Sequence, residues 1–182
     1  TNIQTSAERM AKLLARLVQV TADSRQLAET TQIVLRIEDL VETAVTSVLS
    51  QLRNKQLRFD CTIALDLPAL PTNYHILASA LDGLLEYSCQ QSPEKGCVRF
   101  AAAAHTIEEE GGTLSYLHLS IGNDGAAIAR DALFHLFDER GAAPQLAMSR
   151  SLIEAKGGRL WVENEKGKGV VFSALLPLST PQ

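Results

Sequence analysis

Four histidines, three cysteines and the glycine turns of the C-terminal third are the residues of this chain from which chemistry would be built. His75, His105, His118 and His135 offer acid–base or metal-binding capacity. Neither they nor Cys61, Cys89 and Cys97 fall into C-x-x-C or Cys/His spacing, so no metal site is expected. His105 and His118 sit on neighbouring strand-like runs, but no cysteine or carboxylate completes a ligand set around them. An odd cysteine count argues against a disulfide framework, and the three are expected to be buried free thiols in a reducing cytosol. Ser79 and Ser88 have no base beside them to make either a nucleophile. The glycine turns are Asn123-Asp124-Gly125, Gly141, Gly157-Gly158 and Gly167-Lys168-Gly169. Asp124-Gly125 is a common turn pair, and the last of the four reads as a hairpin between two final strands.

The elements that must position these residues alternate along the chain. At 182 residues, 46% hydrophobic and 21% charged, it can bury one good core. A net charge of −4 gives no reason to expect nucleic acid or an anionic membrane as partner. No signal peptide is expected, and no apolar run approaches the ~20 residues that span a bilayer. The chain opens on Thr1 without a methionine, as expected of a piece cut from a larger protein. Ile3, Ala7, Met10, Leu14 and Leu17 recur at alternating steps of four and three, one stripe of a helix, and Thr5 with Glu8 can form its capping box. So short a stripe must pack on something, since helices of ~12–15 residues are marginal alone.

Beyond it, Gln32 to Arg36 is a short β-type run, and Ile37 to Arg53 has helical spacing (Leu40, Val41, Ala44, Val45, Val48, Leu52). Gln56 to Leu65 alternates as a half-buried strand (Leu57, Phe59, Cys61, Ile63, Leu65). Pro68 and Pro71 break the chain, and Thr72 or Asn73 can cap a helix running to about Gln91. Gly96 to Ala104 and Thr113 to Ile121 read as antiparallel strands joined by a charged turn at Glu108 to Gly112. Two helices and two strands complete an α+β, two-layer α/β sandwich.

The run LAMSRSLIEAKGGRLWVENEKGKGVVFSALLPL, Leu146 to Leu178, resembles the end of a histidine-kinase catalytic domain, the ATP-binding fold shared with gyrase and Hsp90. Gly157, Gly158, Trp161, Val162, Glu163, Gly167, Gly169 and Phe172 stand at the family spacing. The resemblance implies three further boxes. A helix asparagine that holds Mg²⁺ belongs to a pattern N-L-L-x-N-A-x-K, for which this chain reads Gly83-Leu84-Leu85-Glu86-Tyr87-Ser88-Cys89-Gln90. A phenol thus stands where a hard cation wants oxygen ligands, Gln90 replaces the lysine, and Glu86 lies ~100° round the helix. The adenine-reading D-x-G-x-G box reads Asn123-Asp124-Gly125-Ala126-Ala127. Asn123 can still accept the adenine hydrogen bond, without the charge, and Asp124 should point elsewhere. The phosphate-cradling G-x-G-L-G turn reads Gly141-Ala142-Ala143-Pro144-Gln145, in which Pro144 removes a backbone donor while suiting a helix first turn. Leu133-Phe134-His135-Leu136-Phe137-Asp138 resembles the family's aromatic box, so the lid has shrunk to Glu139 and Arg140.

With metal, adenine, lid and phosphate contacts all altered, and each charge-assisted contact worth ~1.5–3 kcal/mol, affinity should fall by several powers of ten. The expected function is therefore a catalytically inactive, pseudokinase module for protein interaction or signal coupling in a bacterial two-component phosphorelay. No cofactor and no metal are expected, and Tyr87, Asn123, Gly125, Gly141, Gly167 and Gly169 mark a vestigial nucleotide pocket. Residues 1–28 resemble the second helix of a kinase dimerisation hairpin, with Ile3, Ala7, Met10, Leu14 and Leu17 as its interface. Residues 29–182 form the degenerate ATPase-like domain. No histidine here has the setting of a phospho-acceptor, which precedes an acidic residue on an exposed dimerisation helix. The resemblance to RcsD-type kinase-like regions implies a cytoplasmic domain of a larger inner-membrane-anchored protein. It also implies a receiver domain or sensor kinase as partner, a homodimer through the first helix, and no direct membrane contact. The alternatives are a divergent active ATP-binding kinase domain and a ChpT-type phosphotransferase fragment.

Overall fold

The computed structural model describes residues 36–65, 67, 74–109, 112–138, 141, 143–165 and 169–178, all within the compact unit Leu35–Gln182. The stripe from Ile3 to Leu17, the β-type run before Arg36, the caps at Thr72 and Asn73, and Gly167 lie outside these residues. In chain order the elements are α1 (Ile37–Asn54), β1 (Arg58–Ile63), α2 (Tyr74–Gln91), β2 (Cys97–Glu109) and β3 (Gly112–Asn123). Then follow α3 (Arg130–His135), α4 (Pro144–Glu154), β4 (Arg159–Glu165) and β5 (Gly169–Pro177).

The strands form one sheet in the order β1-β2-β3-β5-β4. Only β1 and β2 run parallel, as the intervening α2 crossover requires; the other pairs are antiparallel. Alternation then sorts the side chains. Val98, Phe100 and Ala102, Leu117, Leu119 and Ile121, and Val170, Phe172 and Ala174 point into the core. Helix α1 presents Ile37, Leu40, Val41, Ala44, Val48 and Leu52 at helical spacing, all buried. Burying side chains such as Phe100, Phe172 or Leu84 contributes ~1.5–3 kcal/mol each. Helix α2 is the centre of the helical layer: α1 and α4 flank it, and it packs on β2 and β3. The architecture is the expected two-layer sandwich.

Two chain reversals explain residues that looked like motif. Gly157 ends α4 at a φ of 72°, and the Gly157 and Gly158 N–H groups donate to the carbonyls of Glu154 and Ile153, closing a Schellman cap. At the other end, α1 closes with Leu57 N–H donating to Leu52 and Gln56 N–H to Arg53. Lys55 then ties the two helices together, donating through Nζ to the carbonyls of Cys89, Gln90 and Ser92 at 3.1, 2.6 and 3.0 Å.

Two expectations need correction. Cys61 is an exposed free thiol, whereas Cys89 and Cys97 are buried. It sits on β1, an edge strand whose core-side surface the helical layer only partly covers. Leu65 does not continue the strand; β1 ends at Ile63 and Leu65 is 92% exposed.

Candidate functional site

The C-terminal end of α2, the turn after β3, the start of β5 and the α3–α4 connection converge where the resemblance places nucleotide. Tyr87 is buried on the core face of α2 and meets Phe172 of β5 edge-on, with ring centroids 5.6 Å apart. Phe137, just after α3, meets Phe172 from another side at 6.3 Å, and the Arg150 guanidinium of α4 lies 5.3 Å over the Phe137 ring. The Phe172 ring thus receives an edge contact from each. Burial raises the Tyr87 phenol above its ordinary pKa, which keeps it neutral.

Asn123 is fully buried at the end of β3 and turns on itself: Oδ1 accepts the Gly125 N–H at 2.8 Å. One lone pair of its carbonyl-type oxygen, the group that could have read an adenine amino group, is thereby engaged, and among the described residues Nδ2 has no partner. Gly169, at a φ of 80°, backs directly onto this turn. A Cβ there would run into the backbone of Asn123 and Gly125, so only glycine lets β5 pass. Asp124 points to β2 instead. Its carboxylate accepts from the Cys97 N–H at 2.9 Å and from Arg99 Nη1 at 2.7 Å. Burial and the neighbouring Asp60 carboxylate push the Cys97 thiol above its ordinary pKa.

Asp138 and Gly141 flank the lid position. The Gly141 N–H donates to the Asp138 carbonyl at 2.8 Å, and α4 begins with Pro144 at its first turn and Ala143 buried before it. Helix α4 then lies against α2 at Gly83, where a Cβ would stand 2.5 Å from Ser149 Oγ and 2.8 Å from the Gln145 carbonyl. Ser149 Oγ reaches across the same seam to the Ala80 carbonyl at 2.9 Å.

Of the six pocket residues read from the sequence, Asn123, Gly125 and Gly169 come together through backbone contact. Tyr87 joins them through Phe172, whose register partner is Ile121. Gly141 belongs to the α3–α4 turn and packs on Asp138 and His135. His135 is exposed and pairs with Asp138 at 2.8 Å. One positioning residue escaped the sequence reading. The Asn164 amide clasps Ile128 as a peptide group would, with Oδ1 accepting the Ile128 N–H at 2.9 Å and Nδ2 donating to its carbonyl at 2.8 Å. The clasp pins the loop after β3 to the edge of β4. Its signal was the polar residue closing the Trp161-Val162-Glu163-Asn164 run, whose amide alone offers a donor and an acceptor side by side.

Comparison with known proteins agrees with the fold. The adaptive-response sensory kinase SasA of Synechococcus elongatus is 23% identical over 92% of this chain and 44% of its own length. The chain thus spans under half the length of that curated relative. Among solved structures, the catalytic domain of histidine kinase ThkA superposes with a TM-score of 0.69 at 18% identity, covering 79% of this chain and 93% of that domain. ThkA in complex with the response regulator protein TrrA gives 0.65 at 17%, covering 93% of this chain and 49% of that one. At such identities the likeness establishes the fold. The family described as histidine kinase-, DNA gyrase B- and HSP90-like ATPase matches residues 71–180, more than half of the sequence. This chain belongs to the histidine kinase-, DNA gyrase B- and HSP90-like ATPase family.

Proposed function

We propose that this domain is a pseudokinase: a histidine-kinase-like fold that has given up ATP binding and serves as a docking or coupling module in a two-component phosphorelay. The observation that carries the reading is Tyr87, packed edge-on against Phe172 where the family holds Mg²⁺. The hydrogen bond from the Gly141 N–H to the Asp138 carbonyl and the engagement of Asn123 Oδ1 by the Gly125 N–H support it.

The experiment is a thermal melt with and without millimolar Mg-ATP and Mg-ADP. A ligand at ~100 times its Kd stabilises by ~2.7 kcal/mol, which raises the midpoint of a domain this size by roughly 5–10 °C. A flat response is expected. A Mg²⁺-dependent rise would overturn the reading in favour of a divergent active kinase, and a phosphoryl-transfer assay would follow.

The partners in this reading are a receiver domain or a sensor kinase, and a second copy of the chain through the stripe Ile3, Ala7, Met10, Leu14 and Leu17. The complex of ThkA with TrrA supports the first. Charges at Met10 and Leu14 should convert a dimer to monomer without unfolding residues 29–182; an unchanged mass by light scattering would sink the dimer. The parent protein in this reading is anchored in the inner membrane. Among the described residues no helix is long and apolar enough to cross a membrane, so the anchor would lie elsewhere.

A further inference from the structure

The sheet face opposite the helices carries a cluster that the nucleotide fold does not use. His118 of β3 stacks on the indole of Trp161 of β4, ring centroids 6.0 Å apart and planes 5° from parallel. His105 of β2 meets the same imidazole edge-on at 5.4 Å. Among the described residues no helix covers this side, yet Ser173, the cross-strand partner of Trp161, is buried, and His118 Nε2 is shut from solvent and has no hydrogen-bond partner among them. The indole and the two imidazoles form their own cover over the middle of the sheet.

We propose that His118, held between His105 and Trp161, is a proton-operated latch: protonation expels the imidazole from its slot and frees Trp161 from the sheet face. A neutral imidazole tolerates one unpaired ring nitrogen, but an imidazolium presents two N–H donors, and among the described residues Nε2 faces no acceptor. Among the described residues, the neighbouring strand positions offer the charge no carboxylate counter-ion. On β2 the facing titratable group is His105, and on β3 itself it is Tyr116. On β5 the residue opposite is Leu175, which carries no charge, and across it on β4 stands Arg159, a cation. The nearest acid on β4, Glu163, lies on the far side of Trp161 from this row. The indole face attracts a cation, but it supplies no acceptor in the plane of the ring. In keeping with this geometry, burial first and His105 second hold the His118 pKa below that of an ordinary imidazole. The latch therefore stays shut at neutral pH and opens on mild acidification. This inference is independent of whether the domain binds nucleotide.

Trp161 is the only tryptophan in the chain, so its fluorescence reports the latch directly. The test is a titration of Trp161 emission from about pH 8 to about pH 5, with far-UV circular dichroism recorded in parallel. The expected result is a sigmoidal emission change with a midpoint below ~6.5 and an unchanged dichroism spectrum. The change should be abolished by His118→Gln and moved to higher pH by His105→Gln. A flat emission trace, a transition that survives His118→Gln, or one that coincides with loss of secondary structure overturns the proposal. Should His118→Gln fail to fold, histidine ring-proton titrations of the wild-type chain decide. A His118 signal that titrates below the ordinary imidazole value and moves with the indole N–H supports the latch. One that titrates without moving the indole refutes it.

Discussion

Tyr87 meets Phe172 at 90° with ring centroids 5.6 Å apart, and this contact joins α2 to β5, the strand between β3 and β4. The phenol is core there, with Phe137 completing the cluster from the α3 side. Tyr87→Ala should destabilise the domain by about 3 kcal/mol through cavity formation, measured by urea unfolding. Tyr87→Asn, which restores the family's metal-ligand type, should be similarly unstable and still show no Mg-ATP response. A midpoint raised by Mg-ATP in that variant would mean that Tyr87 alone had closed the site.

At an exposed helix position, replacing glycine by alanine stabilises by ~1 kcal/mol. Gly83→Ala should do the reverse, lowering stability by roughly 1–3 kcal/mol through overpacking. The new Cβ meets Ser149 Oγ at 2.5 Å and the Gln145 carbonyl at 2.8 Å. Adding Ser149→Ala should recover only part of the loss, because the Gln145 carbonyl is backbone and stays in place. Full recovery in the double variant would mean that α4 slides freely along α2.

Asn164→Ala removes both hydrogen bonds of the Ile128 clasp. Both are solvent-exposed, so the expected loss is about 1 kcal/mol. The more specific readout is hydrogen exchange: the Ile128 amide should lose protection while the β3–β5 ladder keeps its own. Asn164→Asp retains an acceptor for the Ile128 N–H and loses the donor, and should fall between the two.

Ellman's reagent should titrate one thiol per native chain. Cys61 is exposed, while Cys89 and Cys97 are buried. Partial burial raises the Cys61 pKa, so its reactivity should climb with pH over a range above that of a free thiol. Cys89, pushed up to about 11 by burial against the opposing charge of Lys55, should react only on unfolding. Three fast thiols in the native chain would contradict the packing of α2 on β2.

Stability should also fall on the acid side of neutrality through His118. Its pKa is lowered in the folded state, so the unfolded chain takes up the proton first. The contribution of His118 is complete above the unfolded value of ~6.5 and is lost as pH falls through the depressed folded value. His118→Gln should flatten this part of the Tm-against-pH curve, and an identical slope in both proteins would remove His118 from the account.

The period of the apolar residues carried most of the fold. Ile37 to Leu52 and the strand partners Val98, Phe100 and Ala102 declare which face is buried before any neighbour is known, because side-chain direction follows the backbone repeat. The family spacing of Gly157, Trp161, Gly169 and Phe172 was equally local. Gly157 must adopt a positive φ at a helix end, which is a property of one residue and its peptide groups. The exposure of Cys61 was not legible, since alternation gives a side and cannot say how far the opposite layer extends. Nor was the Asn164 clasp, whose partner Ile128 lies 36 residues away.

By itself, the sequence determined the element types and the α+β class, both of which depend on short-range periodicity and residue chemistry. Only the tertiary structure decided how Tyr87, Asn123, Gly83 and His118 are used. It turned Tyr87 into core, engaged Asn123 with its own turn, pressed α4 onto Gly83, and set His118 between His105 and Trp161 on the open face. The physical reason is that burial, close approach and hydrogen-bond satisfaction belong to pairs of groups brought together from distant parts of the chain, and no single segment contains both members of the pair.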